Sequence, residues 1–264
     1  MTALVQRRDY LVGQRRTIIA RSLMGSLAGA LPIPFLDDWA VGRLLGGGYR
    51  KIAAAHQVDM TDEAVDNMVH GPTKPPPIAQ MAIGGVLSRV ASKAARRMML
   101  AIATVNRARS AARTFTAMTL FDHYCAKLHT GFGLDGATAL ALREEIIRTI
   151  DQTPGALAFH PFRRGALSAA RATLKAPLEL ADLASGGRLR KLLSNKSEIT
   201  TPQTVDEVEQ AMESVLADKT TFLSRTVAAV EVQLSAEVNP YLDDVLESLD
   251  RRWRARVAAK ADLK

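Results

Sequence analysis

IIARSLMGSLAGALPIPFLDDWAVGRLLGGGYRKIAAAH, residues Ile18 to His56, decides how this chain folds. A small-residue apolar segment runs into Pro32-Ile33-Pro34, then Asp37 and Asp38, then a second small-residue segment that turns basic at Arg50 and Lys51. Gly25 and Gly29 stand four apart in the first arm, and Gly42 and Gly46 repeat that spacing in the second. Four-residue spacing puts each pair on one helix face. Glycine costs a helix interior about 1 kcal/mol relative to alanine, so four placed this way predict helices whose backbones approach closely. Pro32 and Pro34 end the first helix, because the residue before a proline is pushed out of the α region. Asp37 or Asp38 then caps the second by accepting from its free amides. The expected unit is a helical hairpin with a Pro-Ile-Pro turn. The same residues serve a hairpin that enters a bilayer without crossing it and one that packs in a soluble core.

A phosphate loop at Gly46-Gly47-Gly48 fails, because Tyr49-Arg50-Lys51 follows where a lysine and a hydroxyl residue are required. Another likeness is closer. Gly29-Ala30-Leu31-Pro32-Ile33-Pro34-Phe35-Leu36-Asp37, followed by Tyr49-Arg50-Lys51-Ile52-Ala53-Ala54-Ala55-His56-Gln57-Val58, resembles the start of the DUF697 and EcsC-like families. Their pattern is a Pro-Ile-Pro-Gly-x-Asp-like turn before a helix that ends basic and alanine-rich. This chain departs from it with Phe35 where glycine is usual, and with His56-Gln57 where Tyr-Gly is common. The likeness is close here and extends loosely to Gly131. It implies a helical bacterial protein associated with the cytoplasmic membrane, and it carries over no catalytic residue.

Composition points to the same class. The 264 residues are 47% hydrophobic but only 5% aromatic, a balance that favours helices over sandwiches and barrels. The expected fold is all-α, a helical bundle built around the hairpin. A net charge of +8 implies an anionic partner, lipid headgroups or nucleic acid. One cysteine, Cys125, excludes an intramolecular disulfide. No stretch supplies the roughly 18 uncharged apolar residues of an ordinary spanning helix. Arg15-Arg16-Thr17-Ile18-Ile19 resembles a twin-arginine export start, but Arg21 interrupts the apolar region that should follow. The expected place is the cytoplasmic face of the inner membrane, with the basic leader Met1 to Arg16 held to anionic lipid.

A second informative stretch lies between Asp66 and Asp122, where there is no acidic residue. Lys74, Arg89, Lys93, Arg96, Arg97, Arg107, Arg109 and Arg113 all fall inside it. In a helix Arg89, Lys93 and Arg96 share one face, apart from the apolar stripe Ala82, Val86, Val90 and Ala94. Basic on one side and apolar on the other is how an interfacial helix holds an anionic membrane. Arg89, Lys93, Arg96, Arg97, Arg107, Arg109 and Arg113 are therefore the candidate lipid-binding residues. The same charge would bind nucleic-acid phosphates non-specifically, although zinc spacings, RNA-recognition signatures and stacking aromatics are missing from the window.

The rest of the chain organises the fold. Thr61 caps a short helix that reaches Met68, and Asp135 caps another with Leu142, Ile146 and Ile150 on one face. Gly131-Phe132-Gly133 marks a break and a soft boundary between a basic region, 1–131, and a helical C-terminal region, 132–264. Leu242, Val245, Leu249 and Trp253 stripe the last helix after Asn239-Pro240. Between Asp206 and Asp250 acids far outnumber bases, which predicts docking on the basic body or on a protein partner. His123, Cys125 and His129 lack metal-ligand spacing, since His123 and Cys125 fall about 200° apart on a helix. No metal, cofactor or catalytic residue is expected, and the predicted role is a non-enzymatic scaffold on anionic lipid.

Overall fold

The computed structural model describes residues 8–28, 36–72, 93–157, 222–236 and 240–262. These residues are all-α in class. After a single 3-10 turn, Asp9–Leu11, come α1 (Val12–Ala28), α2 (Leu36–Ala55), α3 (Asp62–Val69), α4 (Lys93–Lys127), α5 (Gly136–Gln152), α6 (Phe222–Ala236) and α7 (Pro240–Ala261). One departure from pure helix is a two-residue parallel pairing of β1 (Asp59–Met60) with β2 (Gly133–Leu134), in register Asp59 to Gly133.

The first arm of the hairpin is the centre of the molecule. Every residue from Ile18 to Leu23 is buried, because α1 packs against α2, α4 and α6 at once. A helix buried all round must be apolar all round or satisfy what is not. Arg21 is the exception in charge: it is 1% exposed, and its Nη1 donates to the Leu44 carbonyl at 2.5 Å. Among the described residues no helix is long and apolar enough to cross a membrane.

The glycines of the hairpin divide between two neighbours. A Cβ at Gly25 would lie 3.3 Å from Leu45, so this position does bring the two arms together. Gly42 and Gly46 instead face His70 and Val65. The close approach of α2 to α1 and α4 occurs at Gly48, where a Cβ would stand 2.6 Å from both Arg21 Cδ and Met118 Cε. Gly29, Pro32 and Pro34 lie outside the described residues. Because α2 already begins at Leu36, Asp37 and Asp38 stand in its first turn rather than at its cap. Acidic residues are favoured there by the helix dipole.

The local signals hold where they are described. Thr61 caps α3 by accepting from the Ala64 amide, and Asp135 caps α5 by accepting from Thr138. Leu142, Ile146 and Ile150 are buried on α5, as are Val245, Leu249 and Trp253 on α7. Residues on both sides of Gly131 share one hydrophobic cluster, Ile18, Ile52 and Phe121 together with Leu134, Leu142 and Leu249. The long acidic segment that begins near Thr204 lies largely outside the described residues.

Candidate functional site

The densest polar chemistry sits within this apolar core, on one buried turn of α4. Asp122, His123, Tyr124 and Cys125 are all buried, and helical geometry sends them to different neighbours. Asp122 Oδ1 lies 2.6 Å from His56 Nε2 at the end of α2. The turn that presents His56 is tight: the Val58 amide bonds back to Ala53, and Gln57 takes a left-handed φ of 59°. His123 turns the other way. Its Nδ1 lies 2.5 Å from the Tyr10 hydroxyl and its Nε2 2.6 Å from Asp250 of α7.

A neutral imidazole satisfies this second arrangement, with Tyr10 O–H donating to Nδ1 and Nε2–H donating to the Asp250 carboxylate. Burial lowers the His123 pKa from its ordinary 6.5; Asp250 opposes the shift, and Arg8 and Lys127 reinforce it. The neutral form is therefore the resident one. Arg8 and Lys127 also hold Tyr10 in place. Arg8 pairs with Asp243 of α7 at 3.0 Å, and the Lys127 ammonium sits 4.9 Å above the Tyr10 ring centre. The segment before α1 is thus clasped onto α4 and α7 together.

The scarce aromatic side chains gather on the same turn. Tyr49 meets Phe121 edge-on at 5.0 Å, and Tyr124 meets Trp253 edge-on at 5.1 Å. Such contacts add roughly 0.5–1.5 kcal/mol each beyond the area they bury. Tyr124 also reaches His129 Nδ1 at 3.1 Å. Beside the clasp, Glu145 is buried and accepts from Arg256 at 2.8 Å and Arg148 at 3.3 Å, which bonds α5 to α7.

Burial biases the groups of this cluster toward their neutral forms. Burial pushes the Cys125 thiol well above its ordinary range, and Asp122 beside it adds to the shift. Burial likewise raises Tyr10 and the Asp122 carboxyl, the latter against the opposing pull of His56. None of these groups is moved toward a reactive nucleophile, and both nitrogens of His123 are engaged. Among the described residues no group of three or more His, Cys, Asp or Glu could hold a metal ion.

The residues singled out in the sequence for anion binding lie elsewhere. Arg89 falls outside the described residues, while Lys93, Arg96, Arg97 and Arg107 are on α4. Arg109 is exposed, and Arg113 is half-engaged with Asp151 at 2.8 Å. Tyr10, His56, Asp122 and Asp250 go unmarked in the sequence as a site, because their partners are remote along the chain. No protein-family model matches the chain, and no curated protein or solved structure matches it either.

Proposed function

We propose that this chain is a non-enzymatic helical scaffold that docks on an anionic membrane surface from the cytoplasmic face, by the charge of α4. The observation that carries the reading is the placement of the bases along that helix. All of its bases except Lys127 stand at or before Arg113. No carboxylate stands between Asp66 and Asp122 in the sequence, and within that stretch Arg109 is exposed while Arg113 pairs with Asp151. Each base near an anionic surface contributes about 1 kcal/mol. The likeness of Gly29 to Val58 to the DUF697 and EcsC-like families supports the same place. Docking is inferred over hairpin insertion because Ile18, Ile19 and Leu23 are already buried among α2, α4 and α6. Asp243 and Asp250 are engaged within the chain, whereas Asp244 and Glu247 are exposed and available to a protein partner.

Flotation with vesicles of neutral phosphatidylcholine, with and without an anionic lipid, tests the reading. The chain should float only with anionic vesicles and be released by salt. Replacing Arg96, Arg97 and Arg109 with alanine should weaken binding by roughly a hundredfold. Equal binding to neutral vesicles, or none to anionic ones, would overturn it. Tighter binding to duplex DNA than to anionic vesicles at the same salt would replace it with non-specific nucleic-acid binding.

A further inference from the structure

The last helix carries its apolar stripe past the end of the core. Leu246, Leu249 and Trp253 are buried at intervals of three and four, and Val257 continues the series, yet it is 53% exposed. Contacts along α7 show where this overrun leads. It runs antiparallel to α5, with Arg252 on Gln152, Arg256 on Glu144 and Glu145, and the Lys260 charge acting on Asp135. It runs parallel to the end of α4, with Asp250 on His123 and Trp253 on Tyr124. The turn around Val257 therefore reaches the loop that leaves α4 and caps α5.

That loop presents Phe132, 91% exposed and the largest apolar side chain left in water among the described residues. The backbone beneath it is held. Gly131 takes a φ of 101°, a conformation that favours glycine. The Phe132 carbonyl accepts from the Asp59 amide at 2.8 Å, Gly133 and Leu134 pair with β1, and Asp135 caps α5. An aromatic ring on fixed backbone has the character of an interface anchor, since little ordering is left to be lost on contact.

The charges at this end decide what it fits. Exposed Asp59 and Asp135 stand on the loop side, with exposed Glu63 against Gly136. Exposed Arg254 and Lys260 stand on the helix side, three residues before and after Val257 and so on its face. A surface of one sign would repel its own copy. One that joins apolar side chains to an acidic loop and a basic helix is complementary to itself turned about a two-fold axis.

We propose that this end of the bundle binds a second copy of the chain about a two-fold axis, Phe132 of each copy packing on the Val257 turn of the other. Arg254 and Lys260 of one copy then face the acidic loop of its mate. A two-fold contact closes on itself, so assembly stops at two. It does not depend on the membrane reading and is measured without lipid.

Sedimentation velocity of the full chain and of Phe132→Ala is the first test. The wild type should pass from monomer to dimer with rising concentration, more weakly in high salt. Phe132→Ala should lower the association constant by about tenfold to a hundredfold, the worth of one buried aromatic side chain. Because the ring is exposed, the variant keeps the fold, which circular dichroism checks. The second test places a photo-crosslinking phenylalanine analogue at position 132 and mixes isotopically heavy and light chains. Crosslinks between heavy and light copies should fall within residues 253–262. A monomer at every concentration, growth beyond the dimer, an unchanged constant in Phe132→Ala, or crosslinks between copies only outside that turn would each overturn the proposal.

Discussion

His123 Nε2 lies 2.6 Å from Asp250 Oδ1, a bond that joins α4 to α7 across 127 positions of sequence. With Tyr10 on the other ring nitrogen, the histidine is bonded on both sides and buried in its neutral form. Burial holds its folded pKa below the ordinary 6.5. As pH falls through that value, the unfolded chain takes up a proton that the folded chain refuses. Stability is therefore present at neutral pH, declines as pH drops below 6.5, and levels off beneath the folded pKa. His129, also lowered by burial, acts in the same sense. Asp122, raised by burial, acts in the opposite sense, its contribution being lost as pH rises above 3.8 toward its folded value. Urea unfolding at about pH 7.5 and about pH 5.5 should find the wild type weaker at the lower pH, and His123→Gln should flatten part of that slope. An identical slope in the variant would show that His123 is not the group responsible.

The parts of this fold legible in the sequence are local ones. Thr61 and Asp135 announce their caps because a cap and its helix are contiguous. The stripe Leu142, Ile146, Ile150 reads as buried because its spacing is helical. The clasp is illegible for the opposite reason: Tyr10 and Asp250 meet His123 from far along the chain, and no periodicity encodes such a meeting. Arg21 reads as an interruption because charge normally stays in water. It is buried because Gly48 leaves space for its stem. Gly42 and Gly46 define one face of α2, but spacing cannot say which neighbour that face meets. Gly48, two residues past Gly46, points about 200° away, and so the first arm and α3 are served by different glycines.

That division predicts opposite outcomes for two glycine substitutions. At Gly48 an added methyl meets Arg21 and Met118, both buried between helices that cannot easily part. Gly48→Ala should cost about 1–3 kcal/mol in urea unfolding, the usual range for overpacking. At Gly136 the atoms nearest the added methyl belong to the Glu63 side chain, which is exposed and free to swing outward. Gly136→Ala should stay within about 0.5 kcal/mol of wild type, because the gain in helix propensity offsets the displacement. A neutral Gly48→Ala would mean that α1, α2 and α4 do not converge at this residue.

Cys125 provides a chemical reading of the same core. The thiolate is the reactive form, and burial pushes this thiol well above its ordinary 9.0 while keeping reagent out. A disulfide-exchange reagent at neutral pH should label the native chain slowly and the urea-unfolded chain at once. Labelling of the native state should quicken in His123→Gln, since opening of the α4–α7 contact then costs less. Immediate stoichiometric labelling of the native wild type would place Cys125 at the surface.

Gln57 occupies a position that its own chemistry disfavours. It ends α2 with a φ of 59°, and the Val58 amide closes the turn by returning to the Ala53 carbonyl. Helices commonly finish on such a left-handed residue, and glycine usually supplies it because no Cβ meets the neighbouring carbonyl. A side chain in this conformation costs roughly 1–2 kcal/mol. Glycine removes that cost and returns about 0.5–1 kcal/mol of it through the freedom it gives the unfolded chain. Gln57 is exposed, so no packing is lost in the exchange. Gln57→Gly should therefore raise stability by about 0.5–1 kcal/mol, read as a higher urea midpoint with an unchanged slope. The gain should persist in Asp122→Asn, because the turn is closed by backbone bonds and the His56 to Asp122 contact depends on it, not the reverse. A loss of stability in Gln57→Gly would mean that the glutamine side chain makes a contact worth more than the strain it carries.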